Sequence, residues 1–135
     1  MSRSNHQIVL DFFAALSRGN LRDELFTDDV SIWTTSSGAA EKVKYQGGVK
    51  LLQSLFEGGL NYTVDSLTAE DDRVAAEVRA RGKLKNGKIY SNSYVFMFRI
   101  RDERIAAVAE HCNILVVRET IMPLLEAAMK NGAHG

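Results

Sequence analysis

From Asn61 to Val117 the chain keeps one pattern: apolar and polar residues alternate with period two, interrupted only by short polar turns. Side chains on a strand point to opposite faces in turn, so the runs Asn61–Ala69, Arg73–Leu84, Ile89–Arg101 and Arg104–Val117 read as four successive antiparallel strands. Two turns set the expected register. Lys85-Asn86-Gly87-Lys88 is a strong hairpin signal. With Asn86 and Gly87 as its two loop residues, Arg79 falls opposite Tyr94, Arg81 opposite Asn92 and Glu77 opposite Phe96. Arg101-Asp102-Glu103-Arg104 then sets Tyr94 opposite His111, Asn92 opposite Asn113 and Phe96 opposite Ala109. Taking Asp71-Asp72 as the first turn adds Tyr62, Val64 and Ser66 to that face. Arg79–Tyr94–His111 and Arg81–Asn92–Asn113 become two polar rows beside aromatic residues, as a small-molecule pocket requires. The competing reading of the same rows is a solvated or subunit-contact face.

The first half reads as helical. Ser4 and Gln7 make a capping box, and Ile8, Val9, Phe12, Phe13, Ala15 and Leu16 recur as an apolar stripe that Gly19 ends. Asn20 caps a short second helix through Leu25 and Phe26, and Val30–Thr34 is a short strand carrying the lone tryptophan, Trp33. Thr35–Glu41 is a polar loop. Gly47-Gly48 leads into a helix with Val49, Leu52, Leu55 and Phe56 on its apolar face, which Gly58-Gly59 stops. A last helix spans Thr120–Lys130, with Pro123 in its first turn. Helices followed by a long meander give one α+β domain over residues 1–135, the helices covering the concave face of a strongly curved antiparallel sheet. The result is a cone, and a cone incompletely filled is a pocket.

Composition removes several classes of function. Lys plus Arg and Asp plus Glu number 17 each, so the net charge is zero and neither nucleic acid nor an acidic membrane surface is favoured as a partner. One cysteine, Cys112, allows no intrachain disulfide and no cysteine-rich zinc cluster; it reads as a small buried side chain. No signal-peptide pattern or membrane-length apolar run is present, so a cytoplasmic protein is expected.

The segments Phe12-Phe13-Ala14-Ala15-Leu16-Ser17-Arg18-Gly19-Asn20 and Phe26-Thr27-Asp28-Asp29-Val30, the hairpin Asn86–Tyr94 and the stretch Phe98–Ile105 resemble the NTF2-like superfamily. Within it the chain is most similar to the SnoaL-like group of polyketide cyclases and relatives of ketosteroid isomerase and limonene epoxide hydrolase. The resemblance implies the cone, a homodimer and a small-molecule ligand. It does not carry over the known catalytic sets. Where the ketosteroid isomerases place a tyrosine, a catalytic carboxylate and a carboxylic acid, this sequence has Phe12, Thr34 and Phe96. In Glu110-His111-Cys112-Asn113, His111 and Asn113 replace the aromatic and the aspartate of the cyclase pattern, and Arg81 replaces the acid that follows Arg79 in the epoxide hydrolases.

What remains is a histidine on the polar face. His111 is expected as the proton shuttle, since imidazole changes charge near neutral pH, with Tyr94 and Arg79 stabilising developing negative charge. Asn113, Asn92, Arg81, Glu77, Trp33, Phe96, Phe12 and Tyr62 are expected to shape or bind the substrate. No metal site and no phosphate-cradling loop are read from the sequence, so the expected enzyme works without a cofactor. It would act on a small apolar, aromatic or polycyclic compound as an isomerase, cyclase or lyase. The alternative is a non-catalytic ligand-binding or dimerisation module of the same fold.

Overall fold

The first helix forms over Asn5–Ser17 (α1) in the computed structural model, which describes residues 3–134 and the side chains of residues 3–130. Ser4 caps it, its hydroxyl accepting from the Gln7 N–H at 3.1 Å, while the Gln7 side chain turns to Asp11 at 2.8 Å instead of closing the capping box. The whole apolar stripe is buried. Phe12 packs edge-on against Phe26, Phe96 and Phe98, and Phe13 against Phe96 and Phe98, at ring separations of 4.9–6.4 Å. Phe12 and Phe96 are therefore core residues, 0% exposed, and do not reach a substrate.

After a single 3-10 turn at Asp23–Leu25, the elements are β1 (Phe26–Thr34), β2 (Gly38–Ala40), α2 (Lys42–Ser54), β3 (Phe56–Glu70), β4 (Arg73–Leu84), β5 (Ile89–Arg101), β6 (Arg104–Cys112), α3 (Ile114–Thr120) and α4 (Met122–His134). Some boundaries differ from the sequence reading. β1 begins at Phe26, which is buried and pairs with Ile105. The expected polar loop contains β2. Gly47 and Gly48 lie inside α2, and Gly58 and Gly59, at φ +74° and +88°, bend β3 rather than ending a helix. β6 stops at Cys112 because Asn113 turns the chain into α3, its side chain accepting from the Leu115 N–H at 3.1 Å.

Within the described residues one sheet forms, with strand order β2-β1-β6-β5-β4-β3. All pairings are antiparallel except β1 with β6, which is parallel. The α+β class and the covered sheet are as expected. The register is not, and the differences have physical causes.

In the β4–β5 hairpin Arg79 lies opposite Ser93, Arg81 opposite Ser91 and Glu77 opposite Val95, one residue away from the sequence reading. The loop has three residues, not two: Leu84 N–H bonds Lys88 O and Gly87 N–H bonds Leu84 O, both at 2.8 Å, with Gly87 at φ +90°. This is a tight turn followed by a left-handed glycine, the second common hairpin loop. Burial selects it. Val74, Ala76, Val78, Ala80 and Leu84 must share a face with Tyr90, Tyr94, Phe96 and Phe98, and all nine carry even numbers. A two-residue loop would set even against odd.

At the next hairpin Arg101 does pair with Arg104, across Asp102 and Glu103 at φ +53° and +59°. A bulge at Ala106 then shifts the partners, so that Tyr94 faces Cys112, Val95 faces His111 and Phe96 faces Glu110. Ile105 and Val108, three apart and both buried, can share a face only with that extra residue. A like irregularity at Asp65 lets Val64 and Leu67 both pack against the core. It also places Tyr62 opposite Ala80, on the inner face.

Candidate active site

The one-residue shifts separate the expected polar rows. Tyr94, Asn92 and Tyr62 face the interior; Arg79, Arg81, Glu77 and His111 face out and are exposed. Arg79 holds Asp65 through two hydrogen bonds of 2.8 and 2.9 Å, and Glu77 accepts from Ser66 at 2.9 Å. His111 lies against Trp33, ring centres 4.8 Å apart, and Trp33 is 39% exposed. Arg79, Glu77 and His111 do meet, with Val95, along an outer groove of about 420 Å³. Arg81 takes no part in that groove. Asn113 is an exposed helix cap. The row Arg79–Tyr94–His111 and the row Arg81–Asn92–Asn113 are thus not formed.

The interior has its own site. A cavity of about 510 Å³ opens between the inner sheet face, α2 and the α3–α4 pair. Val49 and Leu52 of α2 with Val117 of α3, Ile121 at the junction, and Met122 and Leu125 of α4 make its apolar wall. Tyr45, Tyr62, Tyr90, Tyr94, Thr34, Cys112 and Glu110 make the polar one. Gly48 lines it too, and a methyl group added there would meet nothing within 4 Å.

Glu110 is the one acid on the inner face of β6, half-buried and lining the cavity. Its backbone is pinned by Thr35, whose N–H and hydroxyl both bond Glu110 O, at 3.0 and 3.2 Å. The Tyr45 hydroxyl donates to Oε1 at 3.1 Å; Oε2 has no partner among the described residues. Burial disfavours the charged carboxylate and pushes its pKa up from 4.5 to about 7, against the smaller downward pull of the Tyr45 hydrogen bond. The same burial, with Glu110 nearby, holds the Tyr45 and Tyr62 phenols well above their ordinary range, and burial likewise raises Tyr94 and the Cys112 thiol. These groups stay neutral and act as donors while Glu110 alone titrates near pH 7. Among the described residues no cluster of three or more His, Cys, Asp and Glu side chains is placed to hold a metal ion.

Glu110 and Tyr90 were not singled out by the sequence as site residues, whereas Tyr45, read with Tyr62 as a residue of the cone mouth, does line the cavity. The signal was present: Glu110 and Cys112 are in phase with the buried Val108, and the three-residue interval between Ile105 and Val108 marks the bulge that sets that phase.

Residues 9–108 match the SnoaL-like domain family. The chain belongs to that family. No curated protein matches the sequence. Among solved structures, one assigned as a SnoaL-like polyketide cyclase from Jannaschia sp. CCS1 superimposes with a TM-score of 0.74 at 19% identity, covering 90% of this chain and 96% of that one. IdmH, assigned as a polyketide cyclase of Streptomyces antibioticus, gives 0.75 at 19% identity, covering 84% and 95%. An NTF2-like protein from Anabaena variabilis gives 0.70 at 21%, covering 84% and 94%. At such identities the likeness is one of fold: this SnoaL-like domain has the NTF2-like architecture.

Proposed function

We propose that this SnoaL-like protein is an acid–base enzyme whose proton-transferring group is Glu110. The observation that carries the reading is a carboxyl group whose pKa is pushed up to about 7 inside a cavity of about 510 Å³. A group half-ionised at neutral pH can both take and return a proton, and buried carboxyls of this kind concentrate at catalytic sites. Tyr45 fixes Oε1 and leaves Oε2 to reach substrate. His111, on the outer face, is replaced in this role.

The cavity is large enough for a two- or three-ring compound, with one apolar wall and one phenol-lined wall. The substrate class that fits is a small, largely apolar, aromatic or polycyclic carbonyl compound with an acidic C–H. Glu110 removes that proton, a tyrosine hydroxyl stabilises the enolate oxygen, and the proton returns at another position or the carbanion closes a ring. Chemistry of the isomerase or cyclase type follows, and proton transfer of this sort calls for no redox group or metal.

The test is deuterium exchange at the α-carbon of a panel of tetralones and related cyclic ketones in D₂O, followed by NMR. Glu110→Gln is expected to lower the enzyme-dependent rate at least about a hundredfold, the usual worth of a general base. Equal exchange by both proteins removes Glu110 from the role. Binding without exchange by the wild type favours the non-catalytic module.

We also propose that two copies pair through the outer sheet face. Trp33, Val95 and Met97 are 39–42% exposed there, a grouping of large apolar side chains that a monomer has little reason to leave in water.

A further inference from the structure

We propose that Asn92 fixes the direction of a hydrogen-bonded chain ending at Tyr94, so that Tyr94 presents a hydroxyl proton to the cavity and selects ligands bearing an acceptor oxygen there. The inference rests on the reading of the cavity as the substrate site and extends it to the polarity of the group bound.

The chain begins with the Asn92 amide, whose orientation is set by the backbone. Its Oδ1 accepts from the Ser93 N–H at 2.9 Å, and its Nδ2 donates to Asn113 O at 3.2 Å. A flipped amide would face a donor with a donor and a carbonyl with an oxygen. The second Nδ2 proton points to the Tyr90 hydroxyl at 2.9 Å, so Tyr90 Oη is an acceptor. Tyr90 is 0% exposed, and among the described residues its own proton has one acceptor in reach, the Tyr94 hydroxyl at 2.5 Å. Tyr90 therefore donates and Tyr94 accepts. Tyr90 stands in the cavity wall but is fully covered, whereas Tyr94 keeps some exposure, so the reverse sense would leave the Tyr90 proton without a partner, a costly arrangement. Tyr94 lines the cavity and has no other partner among the described residues, so its proton is left for a ligand. Each donor in the series polarises the next, which makes the last hydroxyl a stronger donor than a lone phenol. Asn92 touches no ligand. It is a positioning residue, and the group it selects is a carbonyl or enolate oxygen.

The test compares 1-tetralone with tetralin, which lacks the carbonyl oxygen, by calorimetric titration of the full-length protein at pH 8, together with the infrared C=O stretch of bound tetralone. Wild type is expected to prefer the ketone about five- to tenfold, the worth of one well-placed neutral hydrogen bond, and to lower its C=O frequency on binding. In Asn92→Asp the carboxylate accepts a hydrogen bond from the Tyr90 hydroxyl, so that Tyr94 must donate to Tyr90 and the chain is turned round. Both the preference and the frequency shift should then vanish, while tetralin binds as before. Tyr90→Phe, which keeps the ring packing, is the second variant: the preference should shrink and the frequency shift weaken. A folded Asn92→Asp or Tyr90→Phe protein with the wild-type preference and shift overturns the proposal, as does a wild type that binds neither compound or both equally. Neither readout involves proton removal, so failure of Glu110 as a base and failure of the directed chain give different results.

Discussion

Glu110 owes its chemistry to a single change of surroundings. Its carboxyl is raised in the folded state from 4.5 to about 7 by burial, so its linkage to stability has a definite sign. Below pH 4.5 it is protonated in both states and the fold bears no cost. Between pH 4.5 and 7 the unfolded chain ionises first, and stability falls. Above pH 7 the cost is complete, at most about 3 kcal/mol and less to the extent that water enters the cavity. Urea unfolding of wild type should therefore show stability declining across that window, and Glu110→Gln should flatten the decline; parallel profiles would refute the shift. Gly48 offers a second residue-scale expectation. It sits inside α2 with ordinary helical backbone and open space beside it, so Gly48→Ala should raise stability by about 0.5–1 kcal/mol through helix propensity. Gly48→Leu should fill part of the cavity and weaken tetralone binding. Thermal melts and titrations of the two variants read both effects.

At the scale of elements, Gln53 joins three of them. From the last turn of α2, its amide donates to Leu16 O at the end of α1 and to Leu60 O of β3, at 3.0 and 2.9 Å, and accepts from the Leu60 N–H. The left-handed glycines Gly19 and Gly59 bring backbone so near that a methyl group on either would lie 2.9–3.0 Å from the Gln53 side chain. Gln53→Leu strands the N–H of buried Leu60 and takes a donor from the carbonyls of Leu60 and Leu16, the latter keeping its bond from the Gly19 N–H, and a loss of about 1–3 kcal/mol in urea unfolding is expected. A loss under about 0.5 kcal/mol would mean that water replaces the amide without cost. The elements themselves were largely legible. Period two named β3 to β6, the i, i+4 stripe named α1, and Ser4 capped it as its residue type suggests. Boundaries failed where a local signal served another purpose. Gly58-Gly59 reads as a helix stop and in fact bends a strand; Asn113 reads as a strand residue and in fact caps a helix.

At the scale of the whole molecule the sheet has two faces with different uses. The inner one takes α1 and the cavity; the outer one carries Arg79, Glu77, His111 and the exposed Trp33, Val95 and Met97. If two copies pair there, sedimentation should give twice the chain mass and Met97→Glu should restore the single mass; a monomeric wild type ends that reading. The division into faces is also where sequence and structure part. Alternation, turn residues and caps determined that four strands follow helices and that the apolar stripe of α1 covers the sheet, because each is a short-range property written into neighbouring residues. Which residues meet across strands was decided only on folding. A three-residue loop at Gly87 and a bulge at Ala106 each move the register by one, and with period two every such step exchanges the faces. Those steps turn Arg79 and His111 outward and bring Glu110 into the cavity. Burying the even-numbered residues of β4 and β5 together, and Ile105 with Val108, gains more than an ideal Asn-Gly turn can offer. That balance is summed over the whole core, so no single motif in the sequence records it.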